Sequence, residues 1–233
     1  MNKLFIMTWN TELYVEKTLM PICEKYKSVV YVVKKYLEND NAICFLQEIP
    51  YCSNETWKVH TLFEELKRDF PKNKYDIVYN ITTKKQIMMT VAIAKVGIIE
   101  KSTSSSFNDN RTVTIKHKNA SIRITGIHAK NGKENSNYLK HLNACSSDII
   151  LGDFNAGDYE ESENRNIFND ILKGYTCICN EITRRSGQGR STPIDHVFVK
   201  TELLPECTIC EVHEKIVCSD HYPITFAVKI KLE

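Results

Sequence analysis

What the sequence lacks narrows its class first. No apolar run approaches the length that a membrane-spanning helix needs. There is no internal repeat, no low-complexity tract and no convincing linker, which excludes solenoid and fibrous architectures. An excess of one charge is also missing. Lys and Arg number 31 against 29 Asp and Glu, a net charge of +2. No global field therefore draws the chain to a polyanion, and any phosphate-binding surface has to be local. The start of the chain does not read as a signal peptide, because its short apolar run is interrupted by Thr8 and Asn10. With nine cysteines and no short secreted framework, the expectation is a cytoplasmic protein with free thiols, not membrane-bound, and monomeric.

What is present fits one globular domain over residues 1–233, with 42% hydrophobic and 26% charged residues. Short apolar runs read as strands at Leu4–Thr8, Ala42–Leu46, Ile77–Asn80, Met88–Ala94, Thr112–Lys116, Ile122–Ile127, Asp148–Leu151, Ile194–Val199 and Ile224–Ile230. Cys23, Tyr26, Val30, Val33 and Leu37 step by three and four along one helix face. Shorter stripes at Leu62–Leu66, Tyr138–Leu142 and Ile167–Leu172 suggest three more helices. Many strands with few helices point to two packed sheets covered by helices. The Ser-rich stretch Ser102–Asn110 reads as a loop within the domain.

The informative signal lies where strands stop. Apolar runs end in Trp9-Asn10-Thr11-Glu12, in Gln47-Glu48, in His128-Ala129-Lys130-Asn131 and in Gly152-Asp153-Phe154-Asn155. Ser219-Asp220-His221 precedes the last strand, whereas Asp195-His196 opens its strand. One such cluster is easily a turn or a helix cap. Several together suggest strand ends converging on one pocket, where a hard cation balances buried carboxylates. Carboxylate and amide oxygens suit magnesium or manganese, and no compelling zinc spacing stands beside them. A metal held by Glu48 would stabilise phosphoryl charge. Asp153 would orient or deprotonate a water with Asn155 beside it. His221 would contact phosphate oxygens, with Asp195 fixing its tautomer.

The ordered set Thr8-Trp9-Asn10, Leu46-Gln47-Glu48, Gly152-Asp153-Phe154-Asn155, Ile194-Asp195-His196 and Ser219-Asp220-His221 resembles the endonuclease/exonuclease/phosphatase superfamily, which includes pancreatic deoxyribonuclease. The set runs from residue 8 to 223. The resemblance implies an α/β fold: a four-layer α/β/β/α sandwich of two packed, mainly antiparallel sheets, with the site at one edge. It implies a magnesium (or manganese) cofactor, with Asn10, Glu48, Asp220 and Glu12 on the metal side. It makes His128, Asp153, Asn155, Asp195 and His221 catalytic, and it places Asn131 and Arg111 against phosphate. Deoxyribonuclease-like members pair the His128-type histidine with a carboxylate from an earlier hairpin. Between Ile81 and Lys95 the nearest polar candidate is Gln86, so a general-acid role for His128 lacks its partner.

Outside the motifs, several readings stay open. Arg184-Arg185-Ser186-Gly187-Gln188-Gly189-Arg190 reads as a phosphate clamp through Arg184, Arg185 and Arg190, or as a solvated loop. Glu12 is a solvated acid or a metal-side group, and Arg111 is a phosphate contact or a solvated strand-end charge. Tyr51 and Trp57 form a base-stacking platform or cap the core. Trp9 reads as structural. Cys177-x-Cys179 and Cys207-x-x-Cys210 are buried or free thiols, or a zinc site of poor spacing. The leading expectation is a metal-dependent nuclease or DNA-end-processing phosphodiesterase acting on DNA rather than RNA. The alternatives are a phosphatase or phosphodiesterase on a small or lipid phosphate, and a non-catalytic binding module. The inositol-phosphatase branch is disfavoured, because Pro193-Ile194-Asp195-His196 lacks its Trp-Cys-Asp-Arg pattern.

Overall fold

A computed structural model describes the chain except for residues 1, 15–20, 52–60, 82–87, 103–108, 141, 143–145, 157–165, 167–169, 171–172, 180, 186–190 and 233. The helical stripe Ile167–Leu172, Trp57 and Arg190 therefore lie outside the described residues. So does most of the Ser102–Asn110 stretch.

Two six-stranded sheets carry the fold. The first contains β1 (Asn2–Asn10), β2 (Ala42–Pro50), β3 (Tyr75–Tyr79), β4 (Met88–Lys95), β13 (Glu211–Val212) and β14 (Ile224–Ile230), in the order β13-β14-β1-β2-β4-β3. The second contains β5 (Ile99–Lys101), β6 (Thr112–His117), β7 (Arg123–His128), β8 (Ile149–Asp153), β9 (Tyr175–Cys177) and β12 (Asp195–Lys200), in the order β5-β6-β7-β8-β12-β9. A separate two-stranded ribbon pairs β10 (Arg184–Arg185) with β11 (Ser191–Thr192). The helices are α1 (Ile22–Tyr36), α2 (Thr61–Asp69) and α3 (Asn135–Lys140).

Side-chain alternation explains the layering. On β1, Leu4 and Ile6 join a core shared by both sheets, with Phe45, Ala92, Val113, Ile124, Leu151 and Val197. Their neighbours Met7 and Trp9 face the other way, onto Val29, Val33, Leu66 and Phe70 of the α1–α2 layer. The second sheet repeats this pattern, with Ile127, Ile150, Phe154 and Phe198 packed on Tyr138 and Leu139 of α3. The result is the expected α/β/β/α sandwich. Where β7 of one sheet faces β2 of the other, a Cβ built on Gly126 would lie 2.3 Å from Phe45 Cδ1, so only glycine lets that ring seat. No helix among the described residues is long and apolar enough to cross a membrane.

Each sheet holds one parallel pair joined through a helix: β1 with β2 across α1, and β7 with β8 across α3. All the other strand pairings are antiparallel. Parallel neighbours end at the same edge of a sheet. The carboxyl ends of β1, β2, β7 and β8 therefore present Asn10, Glu48, His128 and Asp153 together, the usual place for a site in a sheet of this kind. β12 runs antiparallel to β8, with Asp195 opposite Asp153. That register is why Asp195 opens its strand and still faces the same edge.

Candidate active site

Local backbone features aim these side chains. The pairing of β2 with β4 shifts between Leu46 and Ile49, and Glu48 within that bulge has φ 57°. Gly152 has φ 129°, and a Cβ there would lie 2.1 Å from the Ile127 carbonyl oxygen. The position immediately before Asp153 therefore admits only glycine, within a strand whose register with β7 and β12 is unbroken. Asn155 at φ 47° and Glu12 at φ 49° complete a rim of left-handed residues, of the kind that gathers at functional sites.

The centre is a connected set of polar groups. Asn10 Nδ2 donates to Glu48 Oε1 at 3.1 Å and to Asp153 Oδ2 at 2.9 Å. The Asn155 amide N–H donates to Asp153 Oδ1 at 2.8 Å, and Asn155 Nδ2 donates to the Ala129 carbonyl at 2.8 Å. His221 Nδ1 lies 2.8 and 3.0 Å from the two oxygens of Asp195, while Thr183 Oγ1 donates to Asp195 Oδ2 at 2.7 Å. His221 Nε2 then points at Asp220 Oδ1 (3.7 Å) and Asp153 Oδ2 (3.9 Å). Ser219 Oγ donates to the Asn10 carbonyl, and Trp9 Nε1 to the His221 carbonyl, so β1 and the His221 segment are tied at the backbone.

Burial sets the charges. Asp153 is pushed up to about 7, by desolvation first and by neighbouring Asp195 second, against the pull of His221. Desolvation also raises Glu48. For His221, burial acts downward, but Asp195, then Asp153 and Asp220, outweigh it and hold the imidazolium at about 10. His128 is held well below its usual range by burial, then by Arg111 and His221. Arg111 Nη1 lies 3.3 Å from His128 Nδ1. A guanidinium can only donate, so Nδ1 accepts and the ring proton sits on Nε2. That proton lies 3.5 Å (measured at Nε2) from Glu48 Oε1 and 3.7 Å from Asp153 Oδ2. The sequence left His128 without a carboxylate partner; among the described residues Arg111 stands at Nδ1, and the Glu48 and Asp153 carboxylates face Nε2.

Two carboxyl oxygens at this edge, Glu48 Oε2 and Asp220 Oδ1, are buried with no hydrogen-bond partner among the described residues. A buried, unsatisfied carboxylate oxygen is expensive. A hard divalent cation fits such an oxygen-donor set. Asp153, Asp195 and His221 also lie close enough to share an ion. His221 Nδ1 is committed to Asp195, which leaves Nε2 facing Asp153 and Asp220. The orphaned Glu48 oxygen is the better marker of a cation position.

The remaining candidates are less central. Asp220 Oδ2 accepts from Arg184 Nε at 3.0 Å, which places Arg184 beside the centre. Arg185 and Asn131 are exposed. Glu12 is engaged by Lys25 at 2.6 Å. Tyr51 packs edge-on against Phe63, a core contact. The Cys179 and Cys210 thiols are hydrogen-bonded to each other, and Cys177 and Cys207 lie near enough to act on Cys210, so the two cysteine pairs converge in the fold. No disulfide joins the described cysteines. Thr183 and Lys25 were not visible in the sequence, since each is a single polar residue without a periodic or motif signal; Ser219 was read only as part of Ser219-Asp220-His221, with no role of its own.

The two sheets, their helices and the edge-on site define the endonuclease/exonuclease/phosphatase fold. Solved structures with this fold include an AP endonuclease from Archaeoglobus fulgidus (TM-score 0.70, 17% identity, 97% of this chain and 99% of that one). They also include the endonuclease domain of TRAS1, a telomere-specific non-LTR retrotransposon (TM-score 0.69, 14% identity, 98% and 99%). A family protein from Bacteroides vulgatus superposes at TM-score 0.70 with 15% identity, over 99% and 100% of the two chains. No protein-family model and no curated protein matches the sequence. The resemblance read from the strand-end motifs thus holds at the level of fold.

Proposed function

We propose that this chain is a divalent-cation-dependent phosphodiesterase hydrolysing a P–O bond, with nucleic acid, DNA ahead of RNA, as substrate. The observation that carries this reading is the buried, unpartnered Glu48 oxygen on the same edge as Asp153 and the Asp195–His221 pair. Glu48 would hold the magnesium or manganese ion, Asn10 orients Glu48 against Asp153, and Asp220 stands beside them as a further carboxylate. When bound, the ion supplies positive charge against the phosphoryl and leaving oxygens.

The chain's own groups do the rest. Asp153, held at about 7, takes a proton from the attacking water near neutral pH. Asn155 fixes the backbone bend that aims it. His221 stays protonated through its Asp195 partner and donates from Nε2 to a phosphate oxygen. His128, neutral with its proton on Nε2, is a second donor into the same space. Arg184, Arg111 and Asn131, with the exposed Arg185, approach the phosphates of a longer substrate, and Arg190, outside the described residues, stays a candidate for the same contact. The solved neighbours include an AP endonuclease and a 3′ phosphatase bound to a product DNA hairpin, which supports DNA as the substrate class.

The test is an assay of the purified protein on nicked, blocked-end and plain DNA, on RNA, and on inositol phosphates and phosphocholine lipids, with magnesium or chelator. We expect magnesium-dependent cleavage of DNA, reduced about 100-fold or more by Asp153→Asn. Failure to cleave any nucleic acid, with phosphate release from a small or lipid substrate, would replace this reading. An Asp153→Ala protein with unchanged activity would overturn the site assignment.

A further inference from the structure

Lys25, on α1, is fully buried. Its ammonium donates to Glu12 Oε2 at 2.6 Å and to the Glu12 carbonyl at 3.0 Å. An ammonium taken out of water needs a counter-charge held in good geometry, and Glu12 provides it. Glu12 follows Asn10 by two residues, sits at φ 49° and donates its own N–H to Asn10 Oδ1 at 3.0 Å. The lysine thus grips both the carbonyl and the carboxylate of a residue at the lip of the centre. Glu12 lies near enough to Glu48 to act on it electrostatically. The two acids nevertheless differ in one respect: an oxygen of Glu48 is buried without any donor, whereas Glu12 already has a cation.

We propose that Lys25 is a resident internal cation that takes up the Glu12 carboxylate, so that the centre binds a single divalent cation, at Glu48. To recruit Glu12 Oε2 as a ligand, a metal ion would have to displace a fully buried ammonium held at 2.6 Å. Lys25 thereby fixes the stoichiometry of the centre, and it holds Asn10 through the Glu12 backbone. This inference rests on the reading of Glu48 as the cation-holding group.

Isothermal titration of the full chain with manganese alone, without substrate, separates the two ideas. The wild-type protein should take up one ion, and Glu48→Gln should weaken binding about tenfold or more. Lys25→Met, which releases Glu12, should bind about tenfold more tightly or take up a second ion. Lys25→Met combined with Glu12→Gln should lose that gain and return to wild-type binding. Thermal melts of each variant establish that it is folded. If Lys25→Met does not fold, the charge-balanced double variant carries the test alone, since its binding should equal that of the wild type. Two ions in the wild type, no gain in folded Lys25→Met, or a double variant about tenfold weaker than wild type would each overturn the proposal. Unchanged binding in Glu48→Gln would instead overturn the reading of Glu48 beneath it.

Discussion

Asp153 is fully buried, and its neighbour Asp195 repels its charge, so the folded state holds its carboxyl up at about 7 instead of its ordinary 3.8. Within that window the folded protein binds a proton that the unfolded chain has released. The linkage sign follows: this group contributes stability below pH 3.8, and the contribution is lost as pH rises through about 7. A neutral amide of the same shape does not have this dependence. Asp153→Asn should therefore melt higher than wild type at about pH 8 in chelator, by on the order of 1–3 kcal/mol, and match it near pH 4. Thermal melts at the two pH values decide this, and a variant less stable than wild type at the higher pH would show that Asp153 is not held up by burial. Asp153 and Glu48 were legible in the sequence because a carboxylate ending an apolar run is a local anomaly with a physical cost. Thr183 was not, although it donates to Asp195 at 2.7 Å, because a threonine among polar neighbours breaks no pattern. The arginine partner of His128 was missed for a different reason. The sequence reading sought a carboxylate upstream, and only the pairing of β6 with β7 brings Arg111 beside that ring.

At the scale of elements, the long strands were legible and the short ones were not. A nine-residue run such as β1 carries a period-2 pattern, one face to the shared core and one to α1. β10, β11 and β13 have two residues each, too few to show any period. Strand β2 was read as stopping at Leu46 because Gln47 and Glu48 look like a polar boundary. In the structure it continues to Pro50 through the bulge that aims Glu48. Packing between sheets was also invisible, because it depends on which strands cross. Gly126 on β7 is the clearest instance, lying under the Phe45 ring of β2. Gly126→Ala should destabilise the protein by about 1–3 kcal/mol through overpacking. In a Phe45→Leu background, with the ring edge gone, that cost should shrink, giving a coupling of about 1 kcal/mol. Denaturant titrations of the four proteins measure it; additive costs would mean that the sheets separate elsewhere to admit the methyl group.

For the whole molecule, the site is a seam. Asn10 and Glu48 come from one sheet, His128, Asp153 and Asp195 from the other, and His221 from the segment entering β14. The groups that seam brings together are costly without a counter-ion: Glu48 is raised by burial, and one of its oxygens lacks a partner. Cation binding on this reading is therefore also a folding event. An ion that binds only the assembled seam stabilises the native state by RT ln(1 + [L]/Kd), about 2.7 kcal/mol at a hundredfold excess over Kd. Glu48→Gln removes both the cost and the gain. In chelator it should be at least as stable as wild type, because a desolvated carboxylate with one oxygen lacking a donor has become a neutral amide. At saturating magnesium the order should reverse, since only the wild type is stabilised. The two melting curves should cross as magnesium is raised, and scanning calorimetry across a magnesium series would show it. Parallel curves would mean that the ion, if it binds, does not use Glu48, and the orphaned oxygen would need another explanation.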